Sequence, residues 1–132
     1  MHLETEEKIT VGIADTIVDS TAPSGERGVV FEDDGTTGYL YAVRPGPGLE
    51  ILDALHVYDV ANVADRHIPV KVQLVWDENW TAALLLINGY GHALYDFQRA
   101  AGFCRNAFPE APNGQLPKRE LTDELIQQYF EA

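Results

Sequence analysis

The sequence predicts an α+β domain: a mainly antiparallel β-sheet of about five to seven strands, with one face partly covered by a short C-terminal helix. Three observations carry that expectation. Apolar and polar residues alternate with period two over much of the chain, the pattern of half-buried strands. Pro and Gly concentrate in "STAPSGERG" (20–28), "RPGPG" (44–48) and "EAPNGQLPK" (110–118), which cut the chain into short pieces. The last dozen residues carry a helical pattern, and a helix laid on one face of an antiparallel sheet gives an α+β architecture. A chain of 132 residues suits a single domain, 1–132, able to bury roughly two-thirds of the surface its unfolded form exposes.

Near the N-terminus, Ile9, Val11 and Ile13 alternate with Thr10 and Gly12 and read as a strand. "GVVFEDDGTTGYLYAV" (28–43) is two apolar and aromatic arms around Asp-Asp-Gly, a hairpin by composition. "LEILDALHVYDV" (49–60) fits a helix in its leucines and a strand in its β-branched and aromatic second half, which favours a strand from about Leu52. Residues 70–98 read as a three-strand meander. Val70, Val72, Leu74 and Trp76 share one face, and a three-residue Asp77-Glu78-Asn79 loop sets Trp76 opposite Trp80. Trp80, Ala82, Leu84 and Leu86 then continue that face. A second turn at Asn88-Gly89 or Gly89-Tyr90 adds Ala93, Tyr95 and Phe97. The opposite face is mixed, and Leu85, Ile87 and Leu94 on it need cover. "LTDELIQQYFEA" (121–132) can supply that cover. Thr122 is the N-cap, Asp123 and Glu124 stand in the first turn, Leu121 is placed to staple against Ile126, and Leu125, Ile126, Tyr129 and Phe130 form the apolar stripe.

Charge narrows the partners. There are 21 acids against 9 Lys and Arg, a net of −12. Such a surface repels phosphate backbones and anionic lipid, so neither nucleic acid nor membrane is expected as a partner; a protein with a basic surface is. An unpaired edge strand would also allow a homodimer. "MHLETEEK" leads into no apolar segment of the signal-peptide kind, and "TAALLLI" is far too short to span a bilayer. Cytoplasm is therefore the expected location. Cys104 is the single cysteine; it excludes an internal disulfide and a thiolate metal cluster, and "GFCRNAFP" resembles no nucleophile setting, so a buried inert thiol is expected.

The candidate chemistry is sparse. His92 and Asp96 lie four residues apart in one strand, which at ~3.4 Å per residue puts their Cα atoms roughly 13 Å apart. They cannot form a dyad by themselves. Were the protein an enzyme, His92 would have to work with His56 and with Asp53, Asp59 or Asp96 as carboxylates, in a hydrolase or isomerase-like site. "EDDGTTG" (32–38) lacks the alternating oxygens and terminal Glu of an EF-hand loop. No phosphate loop, dinucleotide fingerprint, zinc motif or nucleophile elbow occurs, and no cofactor or metal is expected. The alternative is an interaction domain using the exposed acids Asp33, Asp34, Asp77 and Glu78 at hairpin ends, with Arg105 as a partner for an acid or an anion.

"VFEDDGTTGYLYAV", "ILDALHVYDV", "LLLINGYGHALYDF" and "GFCRNAFP" together resemble a small bacterial domain family of unknown function, number 2251. The pattern Ile-Asn-Gly-x-x-His-Ala-x-x-Asp-Phe and the Cys-Arg-x-x-Phe-Pro tail carry it most specifically, over roughly residues 28–109. The resemblance implies a compact bacterial cytosolic domain and no particular activity. It leaves the C-terminal helix outside, as a feature peculiar to this chain. The sequence thus favours a non-enzymatic interaction domain, by analogy an immunity-type protein that neutralises a basic toxin; the small enzyme built around His92 and His56 is the alternative.

Overall fold

The computed structural model describes residues 1–109 and 119–130. Its strands are β1 (His2–Ile9), β2 (Thr16–Thr21), β3 (Gly28–Asp33), β4 (Thr37–Arg44), β5 (Glu50–Asp59), β6 (Val70–Trp76), β7 (Ala82–Ile87), β8 (Tyr90–Asp96) and β9 (Ala101–Cys104); one helix follows, α1 (Asp123–Phe130). Every pairing between these strands is antiparallel, and Cys104 of β9 adds an isolated parallel bridge to Glu120. The strands form a five-stranded sheet of order β1-β6-β7-β8-β9 and a four-stranded sheet of order β2-β3-β4-β5.

The inner faces of the two sheets close on one core. Val72, Leu74, Trp76, Ala83, Leu85, Ala93 and Tyr95 from the first meet Val18, Val29, Phe31, Leu40 and Leu55 from the second. A buried hydrogen bond crosses this interior, Trp76 Nε1 donating to Ser20 Oγ at 2.9 Å. It satisfies two polar groups that would be costly to bury alone. At one side of the sandwich β1 runs beside β2, where Thr5 Oγ1 donates to the Asp19 carbonyl at 2.8 Å. At the other β9 runs beside β5. That approach needs Gly102: a Cβ there would stand 2.7 Å from Asp53 Oδ2 and 2.9 Å from Leu55 Cδ2.

The hairpin at 28–43 and the meander of 70–98 stand where the residues place them, and the strand expected from about Leu52 begins two residues earlier, at Glu50. The N-terminal strand differs. It is the acidic run His2–Ile9, while Val11 and Ile13 fall in the turns beyond it. Backbone pairing with β6, not apolar alternation, defines this exposed strand.

The meander departs from the expected parity in its middle arm. Trp76 pairs with Ala83, not Trp80, because the connection is longer than three residues. One residue of slip turns every side chain over. Ala83, Leu85 and Ile87 therefore face the core, and Leu84 and Leu86 face outward. The second turn is Asn88-Gly89, both at positive φ (50° and 81°), as the shortest hairpin connections require. A bulge between Leu85 and Leu86 on the β7–β8 pairing then restores the parity, so that Ala93 and Tyr95 share the face of Trp76. Trp80 reaches the same cluster from its loop, with φ 59°. The rings of Trp76 and Trp80 lie 5.9 Å apart, those of Trp76 and Phe97 5.7 Å, and those of Tyr95 and Phe97 4.7 Å.

Leu84, Leu94, Val75 and Phe103 make a second, smaller core on the outer side of the five-stranded sheet, beneath Leu121, Leu125, Ile126, Tyr129 and Phe130. Helix α1 covers that face as its stripe predicts. Thr122 Oγ1 accepts from the Leu125 amide at 3.1 Å, the expected N-cap.

Candidate functional site

The two imidazoles do not meet. His56 stands on the outer face of the four-stranded sheet, paired with Tyr39. His92 stands at the bulge of β8 in the other sheet, its ring edge-on to Tyr90. Burial, and then the charge of Arg105, push His92 down to about 4, so it is neutral near pH 7. Asp96 is buried and accepts from the Gln98 and Arg99 amides and from the Tyr129 hydroxyl (2.7 Å), closing the β8–β9 turn and tying down α1. Asp53 points inward, where Arg119 holds it through two bonds of 2.8 and 2.9 Å.

His56 does find Asp59, its Nε2 lying 2.9 Å from Asp59 Oδ1. The other ring nitrogen is engaged too. The Phe108 amide donates to Asn106 Oδ1, which leaves Asn106 Nδ2 to donate to His56 Nδ1 at 2.6 Å. That orientation puts the proton on Nε2, directed at Asp59. Both nitrogens are committed, and neither is free to take a proton from a substrate. Cys104 lies behind Asn106, buried, and burial pushes its thiol up. Among the described residues no group of three or more His, Cys, Asp or Glu is placed to hold a metal ion.

The acids expected at hairpin ends divide by role. Asp33 is not exposed at all: its carboxylate accepts from the Gly12 and Gly35 amides and from the Tyr58 hydroxyl. Three donors convert an acid that reads as surface decoration into an internal anchor. Tyr58 reaches it across Gly38, where a Cβ would stand 2.8 Å from the ring. Asp77 is turned into its own loop, accepting from Thr81 and Ala82. Asp34 is exposed, and the Thr37 and Thr36 amides hold its carboxyl below the usual range. Glu78 is exposed and pairs with the N-terminal ammonium of Met1, which lowers it. Arg105 bridges β8 and α1. It donates to the Gly91 carbonyl at 2.8 Å and to Asp123 at 2.7 Å, with its guanidinium 4.3 Å from the Tyr90 ring centre.

Of the expected site residues, His56 stands within the surface left uncovered by the described residues. On the outer face of the four-stranded sheet, register aligns Ile17, Glu32, Tyr39 and His56 in one row and Asp19, Val30, Tyr41 and Ala54 in the next. Among the described residues no strand or helix lies over them. The rings of Tyr41 and Tyr39 lie 6.0 Å apart and nearly parallel; Tyr39 meets His56 at 5.3 Å, and His56 meets Phe108 at 6.0 Å. An aromatic band thus crosses the face, ending at the 54% exposed Phe108. Ile17, also 54% exposed, stands at the opposite end. Carboxylates are set into this band. Partial burial, and then Glu32 and Asp34, push the Tyr41 hydroxyl up, a sign that the local potential is negative. The signal for this face lies in "YLYAV": Tyr39 and Tyr41 alternate with core residues Leu40 and Ala42, so both tyrosines must point away from the core.

These features define a class of protein: a two-sheet antiparallel domain that covers one outer sheet face with its own helix and carries on the other an aromatic and acidic band with no strand or helix over it among the described residues. Within that class the chain belongs to the bacterial family described as "Uncharacterized protein conserved in bacteria (DUF2251)", whose model matches residues 9–130. The match is wider than the motifs of residues 28–109 suggest. It includes α1, so the helix is shared with the family and not peculiar to this chain. The chain is also similar to an uncharacterised protein of Haemophilus influenzae, 35% identical over 132 residues, 98% of this chain and 82% of the relative. No solved structure matches it. None of the helices among the described residues is long and apolar enough to cross a membrane.

Proposed function

We propose that this protein is a non-enzymatic interaction domain that docks a protein with a basic surface on the outer face of its four-stranded sheet. The observation that carries the reading is the open aromatic band of Tyr41, Tyr39, His56 and Phe108 with carboxylates set into it. A sheet face of half-buried rings gains free energy when a partner excludes water from it. The net charge of −12 selects a cationic partner and speeds the encounter by long-range attraction. Neutralisation of a basic toxin is one form such docking takes. The separation of His56 from His92, and the commitment of both nitrogens of His56, weigh against the hydrolase or isomerase reading.

The test is site-specific cross-linking. A photoreactive residue at Ile17, or as a control at Gln127 on the far side, is exposed to bacterial lysate and the adducts are identified. Adducts formed from Ile17 alone, with a basic protein, are expected. The purified complex should weaken as ionic strength rises from about 0.05 to 0.5 M, which shortens the screening length several-fold, and also on Glu32→Lys. Equal adducts from both positions, or an affinity indifferent to salt, would sink the reading.

A further inference from the structure

We infer that Tyr39, Tyr41 and Glu32 form a receiving site for one arginine side chain of the docked partner; this deepens the reading above and rests on it. Tyr39 and Tyr41 are two apart on β4, on its outer face, with ring centres 6.0 Å apart and planes 19° from parallel. The two rings stack on each other and leave their outward faces and edges for a planar guanidinium to pack against. Glu32 is the residue directly opposite Tyr39 on β3. Directly opposed residues have Cβ atoms roughly 4.5–5.5 Å apart, and diagonal neighbours such as Glu32 and Tyr41 about 7–8 Å. A carboxylate at that spacing is within reach of a guanidinium packed against the rings and can take two N–H bonds from it.

Glu32 supports the assignment by what it lacks. It is half-buried between Ile17 and Tyr39 in the row, with no hydrogen bond or ion pair among the described residues. Other half-buried or buried carboxylates of the fold are taken: Asp33 by Tyr58 and two amides, Asp53 by Arg119, Asp77 by Thr81, Asp96 by Tyr129. A carboxylate held on an aromatic sheet face without a cation is complementary to one brought from outside.

The chemistry selects arginine over lysine. Guanidinium is planar, weakly hydrated, stacks on aromatic faces and presents paired donors to a carboxylate, whereas an ammonium is a compact, strongly hydrated point charge. The same pairing occurs within the chain: Arg105 lies over Tyr90 while donating to Asp123. The site therefore discriminates by geometry as well as charge.

Hexa-arginine and hexa-lysine peptides of equal length and charge test this, with affinity measured by calorimetry and the site located by NMR shifts of the Tyr39 and Tyr41 rings. Hexa-arginine is expected to bind about tenfold more tightly than hexa-lysine, moving both rings. Tyr41→Leu and Glu32→Gln should each remove most of that preference, while Glu7→Gln, on exposed β1, removes the same charge and leaves the preference intact. Circular dichroism and melting of each variant establish that it is folded. If both peptides move the rings with equal affinity, and Glu7→Gln weakens them as much as Glu32→Gln, the arginine site is refuted and docking of a cationic partner stands. If neither peptide moves the rings, both fall together.

Discussion

On the outer side of the five-stranded sheet, Leu84, Leu94 and Phe103 lie dry beneath Leu121 and Ile126. On the outer side of the four-stranded sheet, the equivalent stations hold Ile17, Glu32, Tyr39, Tyr41 and His56, with nothing from the described residues over them. Both sheets present their inner faces to one core, so the contrast lies wholly in what each carries outside. A face that the chain covers itself can be almost wholly apolar. The face left uncovered by the described residues carries much of its apolar area as tyrosine, with a hydroxyl at the rim, and is interrupted by carboxylates. The covered face is an element of folding stability; the other is the face on which docking is proposed.

Breaking the seam between the two halves should have the largest effect. Arg119, two residues before the start of the cover, donates two bonds to Asp53 at the edge strand of the open sheet. Both side chains are buried, 6% and 4% exposed. Asp53→Ala would leave the guanidinium buried without its counter-charge, at a cost of about 3–5 kcal/mol, measured by urea denaturation. A destabilisation below about 1 kcal/mol would show that the pair does not hold the halves together.

Leu121→Ala tests the cover directly. Leu121 is 2% exposed, and such truncations cost about 2–5 kcal/mol. Amide hydrogen exchange should show α1 opening ahead of the sheets, while the open face keeps its protection. His92, beside the cover, sharpens the comparison through pH. In the unfolded chain this imidazole takes up its proton from about pH 6.5 downward, but in the folded protein only near 4. The unfolded state thus binds more protons between those values, and stability falls as pH drops through that window. Discounted for partial solvent access, the loss is about 2 kcal/mol. It should shrink in His92→Asn when melting is followed at pH 7 and about pH 4.5. An unchanged pH slope would show that His92 is not the group responsible.

The smallest effect is expected on the open face. Ile17→Thr, at an exposed site with no cover, should change stability by less than about 0.5 kcal/mol, yet weaken capture of the basic partner. If its stability cost matches that of Leu121→Ala, the face is a core element and the contrast between the two sheets fails.

Much of the fold is legible in local pattern. Period-two alternation, Asp-Asp-Gly, Asn88-Gly89 and Thr122 before an amphipathic run place the hairpins and the helix, because those signals act within a few residues. The parity of β7 is not legible. "AALLLI" is apolar on both sides because the core lies on one and α1 on the other, so alternation carries no information about which side is which. The acidic β1 carries no apolar signal either, since it is specified by the backbone groups of β6. Of the site, the alternation of Tyr39 and Tyr41 with Leu40 and Ala42 could be read from the chain. That Asp33 is an internal anchor, that His56 is clasped by Asn106 and Asp59, and that His92 stands in the other sheet could not. By itself the sequence determined that the chain folds into antiparallel hairpins and ends in an amphipathic helix, through steric and hydrophobic preferences of near neighbours. Tertiary structure decided which acids are buried, that the two imidazoles stand apart and which sheet face α1 covers, because each depends on groups brought together from distant parts of the chain.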